Sequence, residues 1–353
     1  MKGKTKKWRM LLAGLLLAAG SLLTGCTEKL HPLQEYDVQY FDYFDTITSF
    51  TVYAESEEQF QEYAETFRSE LEYYHKLFDI YNSYEGVNNI KTINDNAGII
   101  PVKVDEEIIN LLEFAKDQYE ATDGRMNVAM GSVLSIWHDY REHADNTPAA
   151  ARVPDMAELE KAAEHTDMDQ VVIDEQAMTV YLEDALLRLD VGAVAKGYST
   201  WRISEKLREQ GVKSALLSVG GNVQCIGAKG DGKPWRVGIQ NPDISSPQSY
   251  LHVVGMQDLA LVTSGTYQRF YEVDGVRYHH IINPDTLMPW REYDSVTILC
   301  ADGGAADALS TAVFNMPIEQ GMALIEGLEG TEALWIYPDG REEMSSGFEK
   351  YLD

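Results

Sequence analysis

The chain has 353 residues, with 57 Asp and Glu against 29 Lys and Arg, a formal charge of −28. That acidity excludes duplex nucleic acid as a partner, since such binding rests on Lys and Arg neutralising phosphates, and it excludes charge-driven docking on an anionic bilayer. An anionic ligand has to be held where helix N-termini, backbone amides or a bound cation invert the local field.

The first 26 residues read as an address. Lys2, Lys4, Lys6, Lys7 and Arg9 precede an apolar run from Met10 to Leu23, shorter than the roughly 20 residues a membrane span needs. Small residues then precede Cys26, as at the end of a secretory signal. Cys in that slot resembles the bacterial lipoprotein signal. Residues 1–25 are therefore the expected signal peptide, Cys26 a lipidated first residue and 26–40 a polar tether. Residues 41–353 make one domain, long enough for a substantial core. The anchor would hold the chain at the extracytoplasmic face of the cell membrane.

Residues 47–53 alternate and read as a strand, and 57–80 carry apolar residues at helical spacing. Residues 81–96, rich in Asn, read as a loop. A helix is expected over 106–121, with Asp105 as its N-cap and Asp123-Gly124 as its stop. The charged stretch 139–155 reads as an exposed excursion, followed by a short helix at 155–164. Strands are expected at 171–173, 179–182 and 186–189, then a helix at 193–210 closed by Gly211. From 214 to 282 short strands alternate with Gly, Pro and Asp turns. Helices at 303–315 and 318–327 and a last strand at 333–337 complete the chain. The fold class is α+β, one mixed α/β domain with mostly antiparallel sheet. Cys225 and Cys300 have apolar neighbours and read as buried small hydrophobes rather than a disulfide. No Cys/His set has zinc spacing.

Five motifs stand in order between Asp190 and Thr311. DVGAVAKG (190–197) places Asp190 at a strand end, Gly192 in a tight turn, and Ala193 and Lys196 at a helix start. Amides there hold phosphate oxygens, and Lys196 adds a point charge. GGN (Gly220, Gly221, Asn222) allows close backbone approach and supplies a side-chain amide; it also fits an ordinary hairpin turn. TSG (Thr263, Ser264, Gly265) offers two hydroxyls after an apolar strand, or a Ser-capped turn. HHIINP (279–284) carries two adjacent histidines that point to opposite strand faces; one of them suits phosphate contact or acid–base work. DALST (307–311) sets Asp307 and Thr311 on one helix face, a hard oxygen pair for magnesium completed by ligand phosphates, or a first-turn Asp with a core Thr. Tyr81 opens the Asn-rich loop and has the ring to cover a flat ligand. Each motif also has a purely structural reading. The ordered set points to transfer of a phosphoryl-linked group from a dinucleotide with a divalent metal.

The set resembles the FAD:protein FMN transferase, or ApbE-like, family over roughly residues 43–315. Gly192–Gly197, Gly220–Asn222, Thr263–Gly265, His280–Pro284 and Asp307–Thr311 match its strongest motifs, with Asn283 for the commoner Asp. Ile93-Asn94 and residues 122–128 match weaker ones, the latter with Met126 for Phe and Val128 for Pro. Phe44-Asp45-Thr46 stands where the family has Met-Gly-Thr. The resemblance implies a T-fold-like domain. It implies magnesium on Asp307, Thr311 and the carbonyl near Ala193, and FAD across the glycine motifs with Tyr81 near the isoalloxazine. FMN would pass to a Thr or Ser hydroxyl of an extracytoplasmic acceptor protein, releasing AMP. His280 is the candidate to take the acceptor's proton, Lys196 to offset phosphate charge, and Asp190 to orient its loop or bind a flavin edge. A magnesium-dependent FAD pyrophosphatase and a passive FAD-carrying lipoprotein are the alternatives. The nearest acceptor-like segment ends at Val313, which has no hydroxyl, so the chain is not its own substrate there.

Overall fold

The computed structural model describes residues 33–353; the signal segment and Cys26 lie outside them. In chain order the elements begin with β1 (Gln34–Tyr43), β2 (Thr46–Ala54), α1 (Glu57–Phe78), α2 (Ile90–Asp95), β3 (Val102–Lys103) and α3 (Glu106–Ala121). There follow α4 (Gly131–Asn146), α5 (Met156–Ala163), β4 (Val171–Asp174), β5 (Thr179–Leu182), α6 (Ala195–Glu209), β6 (Ala215–Val219) and β7 (Asn222–Ile226). Next are β8 (Trp235–Gln240), β9 (Tyr250–Met256), β10 (Ala260–Gly265), β11 (Phe270–Val273) and β12 (Val276–His279). The chain ends with β13 (Ser295–Cys300), α7 (Gly303–Phe314), α8 (Ile318–Glu326), β14 (Glu332–Ile336) and β15 (Glu342–Met344).

One eight-stranded sheet, in the order β1-β2-β6-β7-β10-β13-β14-β15, forms the frame, and every neighbouring pair is antiparallel. Side-chain alternation sorts its two faces. Val262, Ile298 and Trp335 join one core with Phe67, Leu71, Ile203 and Phe314 from the helices, whereas Leu261, Leu299 and Leu334 face β8 and β9 through Trp235 and Val254. The same alternation puts Cys300 in the first core and Cys225 in the second, so the two thiols stand on opposite sides of the sheet and are free. Burial raises both their pKa values.

Helix α3 has the expected bounds, and the Asp105 carboxylate accepts from Glu107 N–H. Four expectations fail. Residues 34–40, placed in the tether, are strand: Tyr36, Val38 and Tyr40 alternate against polar residues and pair across to β2. Residues 139–146 belong to α4, whose Val133, Trp137 and Ala144 pack with Tyr271 and Leu287 in a third, smaller core. The Trp137 indole donates to the Leu287 carbonyl at 3.0 Å. The loop 81–96 contains α2, started by a reciprocal Asn89–Thr92 capping box. Residues 186–189 form no ladder beyond a bridge at Arg188. The Asn94 side-chain amide takes the place of a neighbouring strand: it donates to Leu189 O at 2.9 Å and accepts from Leu189 N–H at 2.7 Å.

Candidate active site

A cleft of about 410 Å³ opens where loops from several elements converge, a size that suits a small-molecule ligand. The β1–β2 turn (Phe44, Asp45, Thr46) and the start of the loop after α1 (Asp79, Tyr81, Asn82) form one side. The α6 entry (Asp190, Gly192, Ala193, Lys196), the hairpin turn (Gly220, Asn222) and the end of β10 (Thr263, Ser264, Gly265) form the floor. His280, Asp307 and Thr311 line it as well, so these residues, separated by more than two hundred positions, share one space. Gly221 does not line it. Gly220 and Gly221 are the two central residues of the β6–β7 turn, with φ of +58° and +89°, as a tight hairpin of this type requires. Only the first of them faces the ligand side.

The crossing of α6 and α7 sets the geometry at Asp307. A Cβ on Gly197 would lie 2.2 Å from the Gly303 carbonyl and 2.4 Å from Asp307 Cβ, so glycine is what lets the helices approach. At that distance Asp307 Oδ2 accepts from Gly197 N–H at 2.8 Å. This takes the amide that the helix would otherwise give to the carbonyl four residues back, that of Ala193. Among the described residues no donor reaches Ala193 O, Asp307 Oδ1 or the Thr311 hydroxyl. Burial pushes the Asp307 pKa up, against the pull of Lys196 and the Gly197 amide. A buried carboxylate short of positive charge, beside a free carbonyl and a free hydroxyl, suits a hard divalent cation. Among the described residues no three His, Cys, Asp or Glu side chains converge. Such an ion would therefore complete its shell with ligand and water oxygens.

The two histidines separate as strand alternation requires. His279 is buried: its Nε2–H donates to Trp290 O at 2.7 Å and its Nδ1 accepts from Ile281 N–H at 3.2 Å. Burial holds its pKa down at about 4. His280 lines the cleft, and its Nδ1 lies 3.2 Å from Arg269 O. A carbonyl only accepts, so Nδ1 carries the proton and Nε2 presents a lone pair. Its side chain is open to solvent on the cleft side; desolvation by the surrounding walls, then His279, Arg269, Lys196 and Arg141, depress its pKa. Asp190 Oδ1 accepts from Gly192 N–H at 2.9 Å, which holds the turn, and burial raises its pKa.

Sequence reasoning missed part of the lining. His138 and Arg141 come from α4, the helix that the charged run concealed. Gln268 and Arg269 follow β10, and the nearby Arg269 had only its place after the TSG motif to mark it. Phe44 and Asp45 have φ of +53° and +51°, uncommon for side-chain-bearing residues and costly for a bulky one. The Phe44 amide donates to His75 Nδ1 at 3.2 Å, His75 Nε2 faces the Tyr84 hydroxyl at 3.2 Å, and that hydroxyl donates to Asp79 Oδ2 at 2.6 Å. Asp79 Oδ1 in turn accepts from the amides of Tyr81 and Asn82 at 2.6 and 2.9 Å. The strained turn and the Tyr81 loop are thus tied into one piece.

A family model described as the ApbE family matches residues 44–335. The FAD:protein FMN transferase of Treponema pallidum is 37% identical over 272 residues, 73% of each chain. That of Klebsiella pneumoniae is 31% identical over 270 residues, 74% of this chain and 81% of its own. The ApbE protein of Thermotoga maritima has a crystal structure that superposes with a TM-score of 0.79 at 29% identity, covering 91% of this chain and all of that one. The flavin transferase ApbE from Vibrio cholerae superposes at 0.76 with 25% identity over 91% of this chain.

Proposed function

The chain belongs to the ApbE family and is an enzyme of the transferase class, and on that premise we propose that it moves FMN from FAD to a Thr or Ser hydroxyl of an acceptor protein, with magnesium and release of AMP. The observation that carries the reading is the interception of the Gly197 amide by Asp307, which leaves the Ala193 carbonyl, the second Asp307 oxygen and the Thr311 hydroxyl facing the cleft. Those three would hold the metal. When bound, the metal neutralises pyrophosphate charge and makes AMP a better leaving group. Lys196 places a second positive charge beside the phosphates. The acceptor oxygen attacks the FMN phosphorus, its proton passes to His280 Nε2, and the bond from that phosphorus to the bridging oxygen breaks, so AMP departs with that oxygen. The free lone pair on Nε2 supports this role for His280. Tyr81 stands at the cleft with its ring available to a flavin. The reading also includes lipidation of Cys26 and acceptors outside the cytoplasmic membrane. Mass spectrometry of the mature N-terminus tests that part.

The central test mixes FAD, magnesium and a tagged acceptor domain with the parent or with Asp307→Ala. Covalent flavin on the denatured acceptor, with AMP in equal amount, is expected for the parent and lost in the variant. AMP with free FMN and an unlabelled acceptor would mean hydrolysis instead. Bound FAD with no turnover would mean a carrier.

A further inference from the structure

Helix α4 turns one face to the cleft. Met130, just before the helix, and Leu134, His138 and Arg141 within it line that space. Met130, Leu134 and His138 are spaced by four residues and so fall in one row, apolar at two positions and ending in an imidazole. Tyr81, from the loop after α1, lays its ring against that imidazole, with centroids 5.2 Å apart and planes 32° from parallel. The tyrosine is otherwise loosely held. Its amide is fixed by Asp79 at 2.6 Å, but its side chain is half exposed and belongs to none of the three cores. Among the described residues His138 is its one aromatic neighbour, and its hydroxyl has no hydrogen-bond partner. The imidazole is the fixed member of the pair. The Arg141 guanidinium donates to Nδ1 at 2.8 Å. Nδ1 therefore accepts, and Nε2 carries the hydrogen, 3.4 Å from Glu142 Oε1. Both partners lie on α4, three and four residues further on, where helical neighbours meet. Trp137, the next residue, ties the helix to the Leu287 carbonyl. A fixed ring thus sits behind a free one.

We propose that His138 is a positioning residue, which holds the Tyr81 ring as a platform for the flat isoalloxazine of FAD. The inference rests on the transferase reading and deepens it. His138 touches no reacting atom; it covers one side of the tyrosine ring, and the ligand stacks on the other. With His138 removed, the Tyr81 side chain moves freely in solvent, and a ligand must order it on binding at a cost in affinity.

The test is binding, read without catalysis. FAD and ADP are titrated in EDTA against the parent, His138→Ala, His138→Phe, Tyr81→Ala and the double alanine variant. FAD is followed by quenching of its flavin emission, and ADP, which has no isoalloxazine, by calorimetry. His138→Ala is expected to lose about five- to tenfold in FAD affinity, the worth of an aromatic pair. Quenching at saturation should weaken, while ADP affinity stays within about twofold. His138→Phe keeps a ring behind Tyr81 and is expected to recover both FAD affinity and quenching. In the Tyr81→Ala background, removing His138 is expected to cost nothing further, because the two act through one contact. If His138→Ala fails to fold, His138→Gln carries the same comparison, since it keeps an acceptor for Arg141 and lacks the ring. Parent-like affinity and quenching in the ring-less variant overturn the proposal. So do equal losses for FAD and ADP, which mark a general disturbance of the cleft, and additive losses in the double variant, which give His138 a ligand contact of its own. A parent that binds neither nucleotide overturns the flavin reading itself, and the platform with it.

Discussion

At the scale of single residues, the motifs divide into groups that face the cleft and groups that hold the frame. Asn94 does not line the cleft; its amide replaces a missing strand beside Leu189, next to Asp190. Asn283 accepts from the amides of Asp285 and Thr286 and donates to Asn315 O, which fixes the turn after His280. Spacing alone gives no way to tell these from ligand-binding side chains, because a short polar residue beside a glycine serves either purpose. The histidine pair was more legible, since alternation sends one of two neighbours inward. His280→Ala is expected to lower transfer by about 10²- to 10⁴-fold, the usual range for a general base, in a stopped acceptor-labelling assay. Its depressed pKa sets the sign of the pH profile. The base is active when neutral, so the rate holds through neutrality and falls only as pH drops below the ordinary histidine value of about 6.5. Arg269→Gln removes a cation that lowers that pKa and is expected to move the acid limb upward in a kcat–pH series. His279, held neutral by burial with a folded pKa of about 4, contributes stability that is full above pH 6.5 and is lost as pH falls from there toward 4.

At the scale of elements, two contacts control the cleft. The α6–α7 crossing depends on Gly197, and Gly197→Ala would drive a methyl group into the Gly303 carbonyl. Urea unfolding should show a loss of about 1–3 kcal/mol, the usual cost of overpacking, together with lost metal-dependent transfer because Asp307 is displaced. The His75–Tyr84–Asp79 chain joins the β1–β2 turn to the Tyr81 loop. His75→Phe keeps a ring but leaves the Phe44 amide without its acceptor. FAD affinity by fluorescence titration should fall about three- to tenfold, the worth of one net hydrogen bond. Elements with strong periodicity, such as α1 and α3, were readable from the chain. Helix α4 was not: its apolar residues Val133, Trp137 and Ala144 precede or interrupt the run DYREHADN, whose charge outweighs the pattern until β11 and β12 are present to cover it. Strand β1 was missed because an edge strand buries little and its alternation is diluted by acids.

At the scale of the whole molecule, sheet order largely follows chain order, yet the site draws on the turn at 44–46, the helix at 131–146 and the helix at 303–314 together. Ligand binding should therefore stabilise the domain as a unit. Magnesium with FAD at about one hundred times the dissociation constant is worth about 2.7 kcal/mol. A rise of several degrees in Tm is expected in a thermal scan, with the magnesium increment absent in Asp307→Ala. The bond from Gly197 to Asp307 spans 110 positions, and its carboxylate is the later partner to be synthesised. A chain still emerging from the ribosome has the glycine turns and the tyrosine loop but lacks the oxygen that frees the Ala193 carbonyl. Contacts of such range form late. A chain that ends before residue 307 carries most of the lining and lacks the carboxylate that takes the Gly197 amide from the Ala193 carbonyl.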